Sequence, residues 1–430
     1  MEAAASPRPP LRRDWFRRIG AGVVTGAADD DPSAIGTYAS AGAKFGLSFL
    51  WIAPVLLPMM FVVVYLSAKL GRVYGKGLIA AIRDQYPRWV LYPVMAGAFA
   101  GNVIEAAANL GGIGAAVNLF VPVPISAIVV AVAAAILGLQ FAGSYGLLRR
   151  IFRWLALALF AYVGAAILAR PDLRALTAGT FVPHVTLTTD FLSMVVACIG
   201  TSLSAYIYTW QSNQEVEEQI RQGRRKVEQR RGASEETLRR TGVDVAIGML
   251  FSNAILYCII LSTGAALHDA GTTNIQTAAD AARALEPFAG YWAKILFALG
   301  IVGVGFLAVP VMTIGAGYDL AQGLGKHSSL HAETEDAPFF YTTIVAVTAV
   351  AVLLNFLGFN PMKALVWSGV VQGFSVPPLL LLIMLITGSR RLMLGQPNGR
   401  MASVLGWATT LATFAAAIGL VATWVAGNSG

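Results

Sequence analysis

The sequence predicts an all-α integral membrane protein of eleven transmembrane helices, and three observations carry that prediction. Hydrophobic residues fill 56% of the 430 positions and charged residues only 13%, with a mean hydropathy of +0.65. Soluble domains carry about 25% charged residues. Apolar runs of bilayer length, about 20 residues, recur along the whole chain. Basic residues gather in alternate short connections between those runs, so the net charge of +8 reports topology rather than a nucleic-acid-binding face. The two cysteines, Cys198 and Cys258, both lie in apolar stretches, which leaves neither a disulfide framework nor a cysteine-rich metal centre. Residues 1–14 contain Pro7, Arg8, Pro9, Pro10, Arg12 and Arg13 and lack the apolar core of a cleavable signal peptide.

The first span, about 18–43, is the one around which the chain is organised. It reads as membrane helix at both ends, yet its middle holds Asp29, Asp30 and Asp31 followed directly by Pro32. An aspartate at mid-bilayer costs roughly 2.5–3.5 kcal/mol on insertion scales. Proline removes a backbone donor and disfavours helix at the residue before it, here Asp31. Together these predict a helix interrupted within the membrane, its freed carbonyls and a carboxylate facing a protein-lined cavity. The competing reading places the three aspartates at the end of a short surface helix; the apolar residues that continue on both sides speak against it.

The remaining spans follow at about 49–70, 90–120, 125–141, 151–169, 191–211, 243–266, 292–320, 339–357, 362–387 and 402–425. The stretches 90–120 and 292–320 exceed one bilayer thickness and are expected to tilt or protrude. Arg12, Arg13, Arg17 and Arg18 precede the first span, and Lys69, Arg72, Lys76, Arg83 and Arg88 separate the second from the third. Arg149, Arg150 and Arg153 lie between the fourth and fifth, and eight basic residues from Arg221 to Arg240 follow the sixth. Lys326 follows the eighth, and Arg390, Arg391 and Arg400 the tenth, whereas the alternate loops hold far fewer. This alternation predicts an odd number of spans, with a cytoplasmic N-terminal tail (1–17) and the C-terminus outside. The chain then reads as one transporter domain, 1–430, in the cytoplasmic membrane.

A second damaged span is the sixth, where Gly200, Thr201, Ser202 and Ser204 crowd small and hydroxyl residues into its centre. Such residues also pack helix against helix. Position distinguishes them: if spans one to five (about 18–169) and six to ten (about 191–387) are inverted repeats, the first and sixth begin corresponding halves, and the helix at 402–425 is an addition. Glu215, Glu217 and Glu218 read as a solvated amphipathic helix at the cytoplasmic end. In the third span Glu105 and Asn109 share a helix face, with Asn102 close to the same side. Glu105 is either a partner for a basic side chain or a proton carrier or second charge for an ion. None of the four histidines falls inside a predicted span.

The stretches 22–46, with Asp-Asp-Asp-Pro-Ser, and 200–218, with Tyr-Thr-Trp-Gln-Ser-Asn-Gln-Glu-Val-Glu-Glu, resemble the first and sixth spans of the Nramp superfamily, and more closely its divergent Nramp-related members. The resemblance implies a LeuT-like fold of ten helices in two inverted repeats plus an eleventh, with a metal held between the unwound parts of the first and sixth helices. The family's Asp-Pro-Gly-Asn is here Asp31-Pro32-Ser33-Ala34, which keeps the aspartate and loses the asparagine ligand. Its Met-Pro-His is here Ser204, Ala205 and Tyr206, so that segment has neither thioether nor histidine. The family's third-span Asp–Glu pair aligns with Asn109 and Gly112, and its tenth-span glutamine with Gly369, with Gln372 one turn further on.

Those departures favour a hard, partly hydrated cation, Mg²⁺ or Mn²⁺, over softer metals. The expected ligands are Asp31, Asp30, Ser33, Ser204, Gln372 and the carbonyls near Ala28 and Thr201. Glu105, Asn109 and Tyr206 are expected around them, and Asp29 towards the cytoplasmic mouth. Transport is expected with weak or no proton coupling, without a resident cofactor, nucleic acid or obligate protein partner, in contact with metal ion and lipid only. The alternative is a Na⁺-coupled or uncoupled transporter of a small organic solute such as an amino acid, with Tyr38, Tyr206, Tyr208 and Trp210 lining its pocket. A transport-dead sensor using the arginine-rich loop 219–240 ranks behind both. No nucleophile–base pair or nucleotide loop suggests an enzyme.

Overall fold

The computed structural model describes residues 21–142, 159–169 and 171–427, and among them the secondary structure is helical without strands. The tail 1–17, the basic cluster Arg149, Arg150 and Arg153, Arg170 and the start of the expected fifth span lie outside the described residues. Eight helices are long and apolar enough to cross a membrane, from Ile52–Tyr74 to Arg400–Ala426, and Ile125–Phe141 is a shorter apolar one. The expected first span is two helices, Ala21–Asp29 and Pro32–Phe45, and the expected sixth is Thr189–Ser202 and Ala205–Arg221. Phe160–Leu168 is the described part of the fifth. The eleven expected spans are consistent with this helix order.

Local chemistry explains both interruptions. Asp31 stands in extended geometry (φ −70°, ψ 172°) and accepts the amide hydrogen of Ala34, an N-cap that Pro32 follows at the first helical position. In the sixth span Leu203 leaves helical geometry, and Ser204 (φ −57°, ψ 141°) starts the second half. The Ser204 hydroxyl turns back to the carbonyl of Gly200 at 2.8 Å, which satisfies an acceptor that the helix end had orphaned.

Small residues set the packing around these breaks. The first half-helix lies on the seventh span, Glu235–Thr263, and the third packs on both the eighth, Ala293–Gly323, and the tenth, Pro361–Gly388. Thr189–Ser202 also packs on the tenth span, where a Cβ added at Gly200 would stand 1.9 Å from the Gly369 carbonyl oxygen and 2.4 Å from the Gly373 nitrogen. Backbone lies on that side, so neither neighbour can yield by rotating a side chain. Gly200→Ala is therefore expected to destabilise towards the upper end of the roughly 1–3 kcal/mol typical of overpacking. Thermal unfolding in detergent checks this, with Gly138→Ala, which meets nothing within 4 Å, as the unaffected control.

Candidate metal site

Asp31 is completely buried at the break of the first span. Its Oδ1 accepts from the Ala34 amide at 2.6 Å and its Oδ2 from Asn109 Nδ2 at 2.8 Å. The other end of the same Asn109 amide accepts the Ser33 N–H at 2.8 Å. One third-span side chain thus fixes the aspartate and also satisfies a first-turn donor of the half-helix that the aspartate caps.

Ser33 carries the network to the other elements. Its hydroxyl lies 2.9 Å from Thr201 Oγ1 and 3.1 Å from Glu105 Oε1, and the Ser204 hydroxyl lies 3.1 Å from that same glutamate oxygen. Glu105 Oε2 accepts from Gln372 Nε2 at 2.7 Å. The first, third, sixth and tenth spans therefore meet around two carboxylates, Asp31 and Glu105. No ion pair among the described residues involves either of them, or Asp29 or Asp30. That removes the reading of Glu105 as partner to a basic side chain. Uncompensated carboxylates at this depth mark a place where a cation or proton is accommodated.

Several expected ligands stand differently from their sequence reading. Gln372 Oε1 accepts the Ala205 N–H at 3.2 Å, so the tenth span caps the second half of the sixth instead of aiming an oxygen at Asp31. The Ala28 carbonyl accepts from the Tyr206 hydroxyl at 3.0 Å and keeps one lone pair, and the Thr201 carbonyl lies 3.2 Å from the Ser204 hydroxyl, whose hydrogen goes to Gly200. Asp29 is 1% exposed rather than at a mouth, and its Oδ2 and Asp30 Oδ1 share the single hydroxyl of Ser252 of the seventh span, at 2.7 and 3.0 Å. Glu215 and Glu217 are buried, not solvated. Glu215 pairs with Arg72, and Glu217 accepts from Tyr318 at 2.7 Å and Ser329 at 3.0 Å. Their neighbours from distant spans supply the partners that a reading of the local helix face could not foresee.

Sequence reasoning passed over Ser252, Met312 and Asp319. The Met312 sulfur lies 3.2 Å from Asn109 Nδ2, so a thioether does approach the site, but from the eighth span. Asp319 is the single carboxylate of Ala293–Gly323, and its signal was hidden because the expected span closed at residue 320, which placed it at the interface. The three tyrosines assigned to an organic pocket are committed to the helix breaks, Tyr38 to Ser202, Tyr206 to the Ala28 carbonyl and Tyr208 to the Leu203 carbonyl, whereas the buried Trp210 Nε1 has no partner among the described residues. An apolar groove of about 420 Å³, lined by Phe99, Val103, Leu320, Phe339 and Val347 among others, contains none of the site's polar groups.

What this arrangement offers is oxygen: carboxylate, hydroxyl and amide groups around a break in each of two helices. Among the described residues no group of three or more His, Cys, Asp or Glu side chains converges as a closed metal site would require. A cation held here would keep part of its water. Broken helices that meet at buried charge in a multi-pass bundle define a secondary transporter of LeuT-like fold. The profile of the family "Natural resistance-associated macrophage protein-like" (Nramp) matches residues 22–423. The chain belongs to the Nramp family, whose members are transporters and not enzymes.

It is 29% identical over 384 residues to the divalent metal cation transporter MntH of Klebsiella pneumoniae strain 342, covering 88% of this chain and 87% of that protein. The crystal structure of the Eremococcus coleocola manganese transporter in complex with an aromatic bis-isothiourea compound superposes with a TM-score of 0.71 at 17% identity, over 98% of this chain and 90% of that one. MhsT in complex with L-phenylalanine shares the fold more distantly, with a TM-score of 0.59 at 12% identity over 96% of this chain and 99% of the other.

Proposed function

We propose that this protein moves a hard divalent cation, Mn²⁺ or Mg²⁺, across the cytoplasmic membrane by alternating access, with weak or no proton coupling. One observation carries the reading: Asp31 is buried at the first-span break with amide, hydroxyl and carboxylate groups around it and, among the described residues, no basic side chain to neutralise it. The MntH relatives, named for divalent metal cations, support the same class of cargo. Asp31 binds the ion directly, Ser33, Thr201 and Ser204 contribute oxygens as it moves, and Glu105 supplies a second negative charge. Asp30, Asp29 and the Ala28 carbonyl lie on the approach, while Asn109, Tyr206 and Gln372 hold the two breaks in register. The Met312 sulfur accepts from the Asn109 amide at 3.2 Å and is outnumbered by oxygens, so the donor set is mainly hard.

The alternation of basic loops supports an orientation with the N-terminus in the cytoplasm and the C-terminus outside. The protein works without a resident cofactor or obligate protein partner. Uptake of Mn²⁺ or Mg²⁺ into proteoliposomes tests the proposal, and transport of neither would refute it. Cd²⁺, a softer ion, is expected to compete only weakly with Mn²⁺ uptake; tight competition would show that a sulfur joins the site. A dye trapped inside the vesicles is expected to report little pH change during uptake, because Asn109 and Gly112 occupy the positions of the family's third-span acids.

A further inference from the structure

Asp319, in the eighth span, is a buried carboxylate that the site around Asp31 does not use. It is 0% exposed, its Oδ2 accepts from Asn102 Nδ2 at 3.0 Å, and its Oδ1 has no hydrogen-bond partner among the described residues. No ion pair among the described residues involves it. The Thr209 hydroxyl also lies beside this carboxylate, but its hydrogen is directed to the Tyr206 carbonyl at 3.1 Å. Asn102 sits about one helical turn from Glu105 on the third span, and Thr209 just over one turn from Ser204 on the sixth. The group therefore lies next along the same helices from the Asp31 site. Gln372 Nε2 touches both levels, at 2.7 Å from Glu105 Oε2 and 3.4 Å from Asn102 Oδ1.

A second observation is room. Gly315 precedes Asp319 by about one turn on the same face of the eighth span. A Cβ built on it would meet nothing nearer than Thr209 Oγ1 at 3.5 Å, Tyr206 Cβ at 3.7 Å and Asn102 Nδ2 at 3.9 Å. A methyl-sized space thus opens among Asn102, Thr209 and the helix that carries Asp319. A carboxylate oxygen removed from water and left unbonded is unfavourable unless something positive reaches it. The Asp319 carboxylate and the Thr209 hydroxyl are hard oxygen donors of the kind that suits a hard cation, and Asn102, which now turns Nδ2 to Asp319 and Oδ1 to Gln372, would add its oxygen by turning its amide.

We propose that Asp319, Asn102 and Thr209 form a second divalent-cation site, a way-station that receives the ion as it leaves Asp31. The proposal rests on the divalent-cation reading of the Asp31 site. The way-station accounts for a run of acids, Asp31, Glu105 and Asp319, with no basic residue among the described ones paired to any of them. An ion moving from one to the next stays close to negative charge throughout.

The test uses the full-length protein and Mn²⁺. Anomalous density at the manganese edge is expected beside both Asp31 and Asp319. Asp319→Asn, close to isosteric, is expected to keep the first peak and lose the second, and to slow proteoliposome uptake by about tenfold, the lower end for loss of a metal-supporting group. Gly315→Ala leaves the charge in place and fills the space at ordinary contact distances, so it is expected to fold normally and slow uptake similarly. A single wild-type peak beside Asp31 would overturn the second site and leave the first intact. Unchanged uptake in Asp319→Asn, or an effect confined to the pH dependence of uptake, would also overturn it, the latter by making Asp319 a proton carrier. Absence of both peaks would instead remove the Mn²⁺ reading on which the second site stands.

Discussion

Asp31→Asn is expected to reduce Mn²⁺ uptake into proteoliposomes by at least about 100-fold, beyond the 10–100-fold typical of residues that only support a metal ligand. The substitution isolates charge from architecture. Asparagine caps helices about as well as aspartate, so Ala34 keeps its acceptor and the half-helix Pro32–Phe45 keeps its start. What is lost is the negative charge, together with the acceptor facing Asn109 Nδ2. Asn109 can answer by turning its amide, but it then presents a donor to the Ser33 N–H that its oxygen now accepts. A fall in stability of about 1 kcal/mol is expected from that mismatch. Asp31→Ala removes cap and charge together, and should lower the unfolding temperature further while giving the same loss of transport. Uptake in Asp31→Asn close to wild type, in protein that still folds, would show that the buried charge is not what holds the ion.

How much of this could be read in the sequence depended on whether the signal was local. The break at Asp31-Pro32 was legible because both causes, a buried acid and a missing backbone donor, sit in adjacent residues. The break at Leu203-Ser204 was legible more weakly, from hydroxyl crowding and its matching place in the second repeat. Partners from distant spans were not legible. Nothing near Gln372 indicates that its oxygen caps Ala205, and nothing near Ser252 shows that two aspartates converge on it. Glu215 and Glu217 misled for the same reason: their own helix carries the polar sequence of a solvated face, while Arg72, Tyr318 and Ser329 arrive from elsewhere to bury it. Periodicity describes one helix at a time, and burial in a bundle depends on its neighbours.

Glu215→Ala is expected to destabilise the protein by about 3–5 kcal/mol, the usual consequence of stranding one member of a buried ion pair. Arg72 and Glu215 have side chains only 18% and 3% exposed, so neither is well hydrated by itself. The glutamate's other oxygen accepts from Gln211 Nε2 at 2.9 Å, and Gln211 Oε1 accepts from the Thr25 hydroxyl at 2.5 Å. The pair therefore ties the second span to the sixth, and through Gln211 to the first half-helix, Ala21–Asp29. Replacing both members with apolar residues of similar size, Arg72→Met with Glu215→Leu, is expected to recover most of the lost stability, since the desolvation of two charges largely offsets their attraction. Denaturant titration of the two single variants and the double variant in detergent measures that coupling. Additive effects would show the contact to be incidental. Strong coupling together with altered uptake in the stable double variant would show that the polar link constrains the first half-helix during transport as well as holding the fold.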